Sequence, residues 1–217
     1  MPGTATRRIP KFRRRAEDRP DEVLDAALDL FIEQGFAATR VEDIARRAGL
    51  SKGAVYLYFP SKQAILEALV RRAIVPVAET AANTALAFEG DPRESIRMVF
   101  AIISQRLADP RVIAIPKLII RENGVLPEIA RMYRREVIDR ALPVAVALIR
   151  RGIDKGVFRP VDPELAVRSL IGPIGMHVLM AEAFGIVPEG GLNLPALMET
   201  HIAILFNGLL TDEAHRK

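Results

Sequence analysis

The chain has 217 residues, half of them hydrophobic and 27% charged, with a net charge of +4, which provides for a substantial core and excludes disorder over most of its length. It has no cysteine, so disulfide frameworks, thiolate metal sites and cysteine nucleophiles are ruled out. The charge is unevenly placed: Arg7, Arg8, Lys11, Arg13, Arg14, Arg15 and Arg19 face only Glu17 and Asp18 within the first twenty residues.

Residues 1–18 therefore read as a basic flexible arm, suited to phosphate or an acidic surface, or simply to solvation. No apolar segment follows those arginines, so they do not open a secretory signal. The most apolar window, Leu165 to Val187, is interrupted by Arg168, Pro173, His177 and Glu182. That pattern predicts a buried helix and not a membrane span, hence a soluble cytoplasmic protein.

Helical periodicity runs through almost every segment, and turn-bounded alternating runs are missing, so the expected fold class is all-α. The first helix is expected to open at Pro20, with Asp21 and Glu22 in its first turn and Gly35 as terminator. Val23, Ala27, Leu30 and Phe31 share its apolar face. Thr39 and Glu42 have capping-box spacing ahead of a short second helix carrying Val41, Ile44, Ala45 and Ala48. Gly49 ends that helix, Ser51 caps a two-turn third and Ser61 caps a fourth beyond Pro60. Two short helices joined by a tight Gly-containing turn form a helix-turn-helix. Ala45 and Ala48 are small enough for a close crossing, Gly49 can turn left-handed, and Leu50 fills the angle. The third helix then presents Ser51 to Tyr56 outward.

Further helices are expected over residues 61–88, 91–108, 110–122, 126–151, 162–185 and 194–210. In the fourth of these, Ile129, Tyr133, Val137, Ala141, Val144 and Leu148 fall on one stripe. Asp162 and Pro163 suit a cap and a first helical position.

From Val23 to Ile65 the sequence "VLDAALDLFIEQGFAATRVEDIARRAGLSKGAVYLYFPSKQAI" resembles the DNA-binding head of the TetR-type transcriptional repressors. The resemblance rests on Ala26-Ala27, Leu30-Phe31, Gly35-Phe36, Thr39, Ile44-Ala45, Ala48-Gly49, Ser51, Gly53, Tyr56, Phe59 and Lys62. It implies a homodimer, each subunit carrying a three-helix head over residues 19–66. Residues 67–217 would be a larger helical body with a small-molecule pocket, and the last long helices would pair two subunits. "RRGIDKGVFRPVDPELAVRSLIG" is similar to the join between the last two long helices in many members of that family. Two positions depart from its pattern: Tyr58 stands where His is frequent, and Arg40 where Ser or Thr is frequent.

Phosphate contacts set docking register and base-edge contacts set sequence. On that scheme Thr39, Arg40, Tyr58 and Lys62 are assigned to phosphate, while Ser51, Lys52, Gly53, Ala54 and Tyr56 lie at or near the groove floor. Read otherwise, Thr39 and Ser51 are caps, Tyr56 is core beside Phe31 and Phe36, and Lys62 is a plain surface lysine, although its place right after a capping Ser at a helix start suits an anion. Phe100, Arg121, Tyr133, Met176, His177, Met180 and Phe184 are candidates to line a ligand pocket, with Phe88, Met98 and Ile103 nearby in the same reckoning. Plain core explains such residues as readily. Gly172 and Gly175 around Pro173 suit either a close helix approach or a kink.

The three histidines, His177, His201 and His215, form no Glu-x-x-His pair, and neither a phosphate loop nor a nucleophile motif is present. The sequence therefore predicts no enzyme activity, no metal and no cofactor. The expected partners are double-stranded palindromic DNA, a second copy of the chain and a small apolar or amphipathic effector, with no membrane.

Overall fold

The computed structural model describes residues 11–122, 127–191 and 193–209. Every element among them is helical. The chain divides between Leu69 and Val70 into two compact units.

In the first unit α1 (Lys11–Ala38) is followed by α2 (Val41–Arg47), α3 (Lys52–Tyr58) and the start of α4 (Lys62–Ala73). Helix α1 begins well before Pro20, which sits inside it. The expected start at Pro20 is thereby corrected. The run "RRRAED" is rich in good helix formers, Arg, Ala and Glu, and carries the helix through a residue without an N–H. Arg7 and Arg8 lie outside the described residues.

Gly35 breaks α1 with φ 85° and ψ 163°, a conformation only glycine takes readily. The chain bends there, so the Phe36 ring returns to within 5.2 Å of Phe31. Val23, Ala27, Leu30, Phe31, Ile44, Val55, Ile65 and Leu66 close the core.

The second unit holds the end of α4 and then α5 (Val75–Ala87), α6 (Pro92–Leu107), α7 (Pro110–Glu122) and α8 (Pro127–Tyr133). A π-helical turn over Arg134–Ile138 leads into α9 (Asp139–Asp154), followed by α10 (Pro163–Phe184) and α11 (Leu194–Leu209). The expected helix over 61–88 is two helices, because Pro76 sits in the first turn of α5 and cannot continue the ladder from α4. Asp162 caps α10 by accepting from the Leu165 N–H at 2.9 Å. Helix α5 packs on α6 and α9, α10 on α7, α9 and α11, and α6 on α11. Ile96, Phe100, Ile149, Phe158, Met198 and Phe206 anchor the core.

Helix α10 corrects a second expectation. Over Pro163–Ala181 it is long and apolar enough to cross a membrane by length and composition, a test that the core helix of a soluble protein also passes. Only one side is buried, through Ala166, Val167, Leu170 and Val178, while Leu165, Ile171, Met176 and Phe184 are exposed. A Cβ built on Gly172 or Gly175 would meet open space, so within one chain neither glycine serves a close helix approach.

Candidate DNA interface and effector cavity

The turn between α2 and α3 is built from backbone hydrogen bonds. Leu50 N–H reaches the Ala45 carbonyl at 2.8 Å and Gly49 N–H the Arg46 carbonyl at 3.2 Å, with Gly49 at φ 68°. This is the Schellman arrangement, and it fixes the angle at which α3 leaves. Ser51 then caps α3, its Oγ accepting from the Ala54 N–H at 3.1 Å. Val55, fully buried, is the inward anchor of α3. Ser51, Lys52, Gly53, Tyr56 and Leu57 are consequently exposed, and Ala54 and Tyr58 half-buried. Tyr56 is 44% exposed, so the alternative that it packs in the core against Phe31 and Phe36 does not hold.

Two residues assigned to phosphate have other work. The break at Gly35 leaves carbonyls at the end of α1 without intrahelical partners. Thr39, 1% exposed, donates its hydroxyl to the Gly35 carbonyl at 2.7 Å and accepts from Gln34 Nε2 at 3.3 Å. Lys62 Nζ donates to the Phe36 and Thr39 carbonyls at 2.5 and 2.7 Å and sits 4.3 Å from the centre of the Phe36 ring. Both side chains therefore lock the bend in α1, which corrects the assignment of the buried Thr39 to DNA phosphate and gives Lys62 a structural duty. The Thr39–Glu42 capping box fails for the same reason: the α2 cap is Arg40, whose side chain makes no cap bond.

The Arg40 side chain remains exposed. Glu42 instead forms an ion pair with Lys52 at 2.5 Å, and Lys52 Nζ lies 5.8 Å from the Tyr56 ring centre. The Lys52 hydrogen bond holds the Glu42 carboxyl below its ordinary value, and the same bond raises the Lys52 ammonium. Arg47 binds Glu33 of α1 through two hydrogen bonds of 2.7 and 2.8 Å, a fork that fixes α2 on α1. Sequence reasoning missed Leu57, which is 83% exposed beside Tyr56. Its lack of a place in the period of the buried α3 residues was the available signal.

The second unit encloses a cavity of about 480 Å³, within the range of small-molecule sites. Its wall includes Phe100 and Tyr133 and most of the predicted stripe, namely Val137, Ala141, Val144 and Leu148. Ile129 of that stripe is buried elsewhere. Room for the void comes from α5, which offers Val77 and four alanines, Ala78, Ala81, Ala82 and Ala85, where larger side chains would close it. The small-residue run "AETAANTALA" was the sequence signal for this. Met176, His177, Met180 and Phe184 are not in the wall, and Arg121 is exposed beside Glu122 at 3.7 Å. These five corrections share a cause: helical spacing alone cannot tell which side of α10, or of α7 in the case of Arg121, faces inward.

Residues 23–69 match the family described as bacterial regulatory proteins, tetR family, and residues 86–185 match the tetracyclin repressor-like C-terminal domain. The chain is 34% identical over 190 residues to the HTH-type transcriptional regulator EthR of Mycolicibacterium smegmatis, covering 84% of this chain and 86% of that protein. It is 30% identical over 163 residues to the uncharacterized HTH-type transcriptional regulator YfiR of Bacillus subtilis, covering 71% and 75%. Among solved structures, the SmeT–triclosan complex superposes with a TM-score of 0.75 at 27% identity, covering 90% of this chain and 93% of that one. The helix-turn-helix, the helical body and these likenesses agree, and the chain belongs to the TetR family of DNA-binding transcriptional regulators, which are not enzymes.

Proposed function

We propose that the protein is a ligand-responsive repressor that acts as a homodimer on a palindromic operator in the cytoplasm and is released by a small apolar or amphipathic effector. One observation carries this reading. The same chain combines an exposed, capped recognition helix with a cavity large enough for a small molecule. An effector shifts the protein between two arrangements of its heads by binding one of them better.

On the DNA side, Arg40 and Tyr58 are assigned to phosphate, and Lys52, Gly53 and Tyr56 to base edges. The half-covered helices α10 and α11 supply the dimer face. Leu165, Gly172 and Met176 recur at spacings of seven and four, and Ile204 is 66% exposed on α11. Glycine at position 172 lets a partner helix approach closely, and a two-fold dimer matches a palindromic site. SmeT, described as the repressor of the Stenotrophomonas maltophilia multidrug efflux pump SmeDEF, supports both halves of the reading through its triclosan complex.

The test is fluorescence anisotropy of labelled duplex flanking the protein's own coding sequence, at two salt concentrations, with Lys52→Ala and Tyr58→Phe alongside. Tight, salt-dependent binding that is lost on scrambled duplex, and that falls about five- to a hundredfold in the Lys52 variant, is expected. Equal binding of native and scrambled duplex by the wild type, with duplexes selected from a random pool binding no better, would sink the reading. Sedimentation should show a dimer that Met176→Glu converts to monomer.

A further inference from the structure

We propose that the effector is a neutral lipophilic molecule with a single oxygen function, an alcohol, phenol or ketone, held through that oxygen by the Tyr133 hydroxyl. This rests on the reading of the cavity as the effector site.

The wall of the cavity is the argument. Among the described residues, isoleucine, valine, leucine, alanine, proline, phenylalanine and glycine make up all of it except Tyr133, whose hydroxyl is the only polar side-chain group in that lining. No hydrogen bond reaches that hydroxyl from the described residues, and burial alone pushes its acidity away from the ordinary range, so it stays a neutral phenol. The Tyr133 side chain lines the cavity, and a ligand entering there can supply its hydroxyl with a hydrogen-bond partner.

The backbone presents the group deliberately. The π-helical turn begins immediately after Tyr133, and it brings both Val137 and Ile138 onto the same wall as Tyr133 and Ala141. Such turns are rare, strain the helix and recur at functional sites.

Charge decides the class of ligand. Three pairs of charged side chains on these helices meet at the surface, and Arg151, which donates to the Ala85 carbonyl at 3.4 Å, is not among the lining residues. Arg71 bonds Glu136 at 3.0 Å, Arg140 bonds Glu79 at 3.2 Å, and Arg134 meets Asp139 at 3.3 Å. None of these six lines the cavity. A carboxylate, a phosphate or a coenzyme thioester would lose its water and meet no cation, and an ammonium would meet no carboxylate. Two aromatic rings, Phe100 and Tyr133, are too few to form a cage around a quaternary ammonium. A neutral oxygen needs only one hydrogen bond, and Tyr133 can donate it to a ketone or accept it from an alcohol or phenol.

The probes are three molecules of one chain length: decan-1-ol, decanoate and decyltrimethylammonium, each kept below its aggregation concentration. Binding is followed at pH 7.5 by calorimetry, since the protein has no tryptophan, and release of labelled operator is followed by anisotropy. Decan-1-ol is expected to bind, and both ions to bind at least about a hundredfold more weakly. Tyr133→Phe, shown by circular dichroism to be folded, should weaken decan-1-ol about three- to tenfold. Ala145→Phe, which fills the void, should abolish binding.

An ion binding as tightly as decan-1-ol, equal decan-1-ol affinity of wild type and Tyr133→Phe, or no binding of any probe would each overturn the proposal. The operator arm separates this from the effector reading. Decan-1-ol that binds without altering DNA affinity counts against the effector reading and leaves the ligand class intact. Release of DNA by decanoate and not by decan-1-ol does the reverse.

Discussion

The two units solve opposite packing problems with the same secondary structure. In the first, Phe31 and Phe36 of α1 are consumed in a closed core, and even Thr39 and Lys62 are spent on the bend at Gly35. In the second, a row of alanines on α5 keeps a void open among helices long enough to have closed it. A surface that must fit a groove needs fixed angles, and close packing supplies them. A cavity that must admit a ligand needs missing volume, and each missing side chain lowers the stability of the helices around it.

The largest expected effect breaks that contrast from the head side. Phe31→Ala removes a side chain that is 1% exposed and touches Phe36. It should cost about 3–5 kcal/mol and abolish DNA binding while the helical signal of the body persists. Phe100→Ala, beside an existing void, should cost distinctly less, because part of that ring already lacks partner atoms. Equal costs in denaturant titrations would show that the void is not real packing loss. Next in size is Gly152→Ala. A Cβ there would stand 2.0 Å from the buried Phe158 ring. The variant should lose about 1–3 kcal/mol, showing that the body is closely packed away from the cavity.

The same contrast explains what the sequence revealed. Ser51, Gly49, Asp162 and Ser61 were legible because a cap or a left-handed glycine acts on its own neighbours in the chain. Helix positions in the body were legible from period for the same reason. Thr39 was misread because its partner, the carbonyl of Gly35, is orphaned by a bend that spacing does not announce. The cavity was half legible. Tyr133 and Phe100 lie on inward stripes of α8 and α6, but the choice between the two sides of α10 depends on what α9 and α11 already cover.

Filling the void sharpens the comparison by a smaller amount. Ala81→Val adds two methyl groups to a cavity wall and should raise body stability by about 0.5–1 kcal/mol in denaturant titrations while weakening effector binding. Ala45→Val in the head, at a 3% exposed site beside the turn, should instead destabilise. A gain at both positions would mean that the head is as loosely filled as the body.

The smallest expected effect concerns the pair Glu42–Lys52, where the head holds its own reading residue. Both side chains are about half exposed, and their separation is 2.5 Å. To meet a base, Lys52 must leave Glu42, and Glu42 then stands unpaired near DNA phosphates. Glu42→Gln removes both obstacles and should tighten operator binding about three- to tenfold, with a similar gain on scrambled duplex because the repulsion is not specific to sequence. Lys52→Ala should cancel the part of the gain that comes from freeing the lysine, so the double variant measures it. The pH dependence has a definite sign. Glu42 is depressed below 4.5, so the pair's contribution to the head is present above that pH and lost as pH falls through the folded value. Lys52 is raised above 10.5, so the contribution is present below that pH and lost as pH rises through the folded value. Between these limits Glu42→Gln should shift the thermal midpoint of the head by the same small amount at every pH. Below pH 4.5 the wild type should converge on the variant, and a constant gap down to pH 3 would show that the pair does not form in solution.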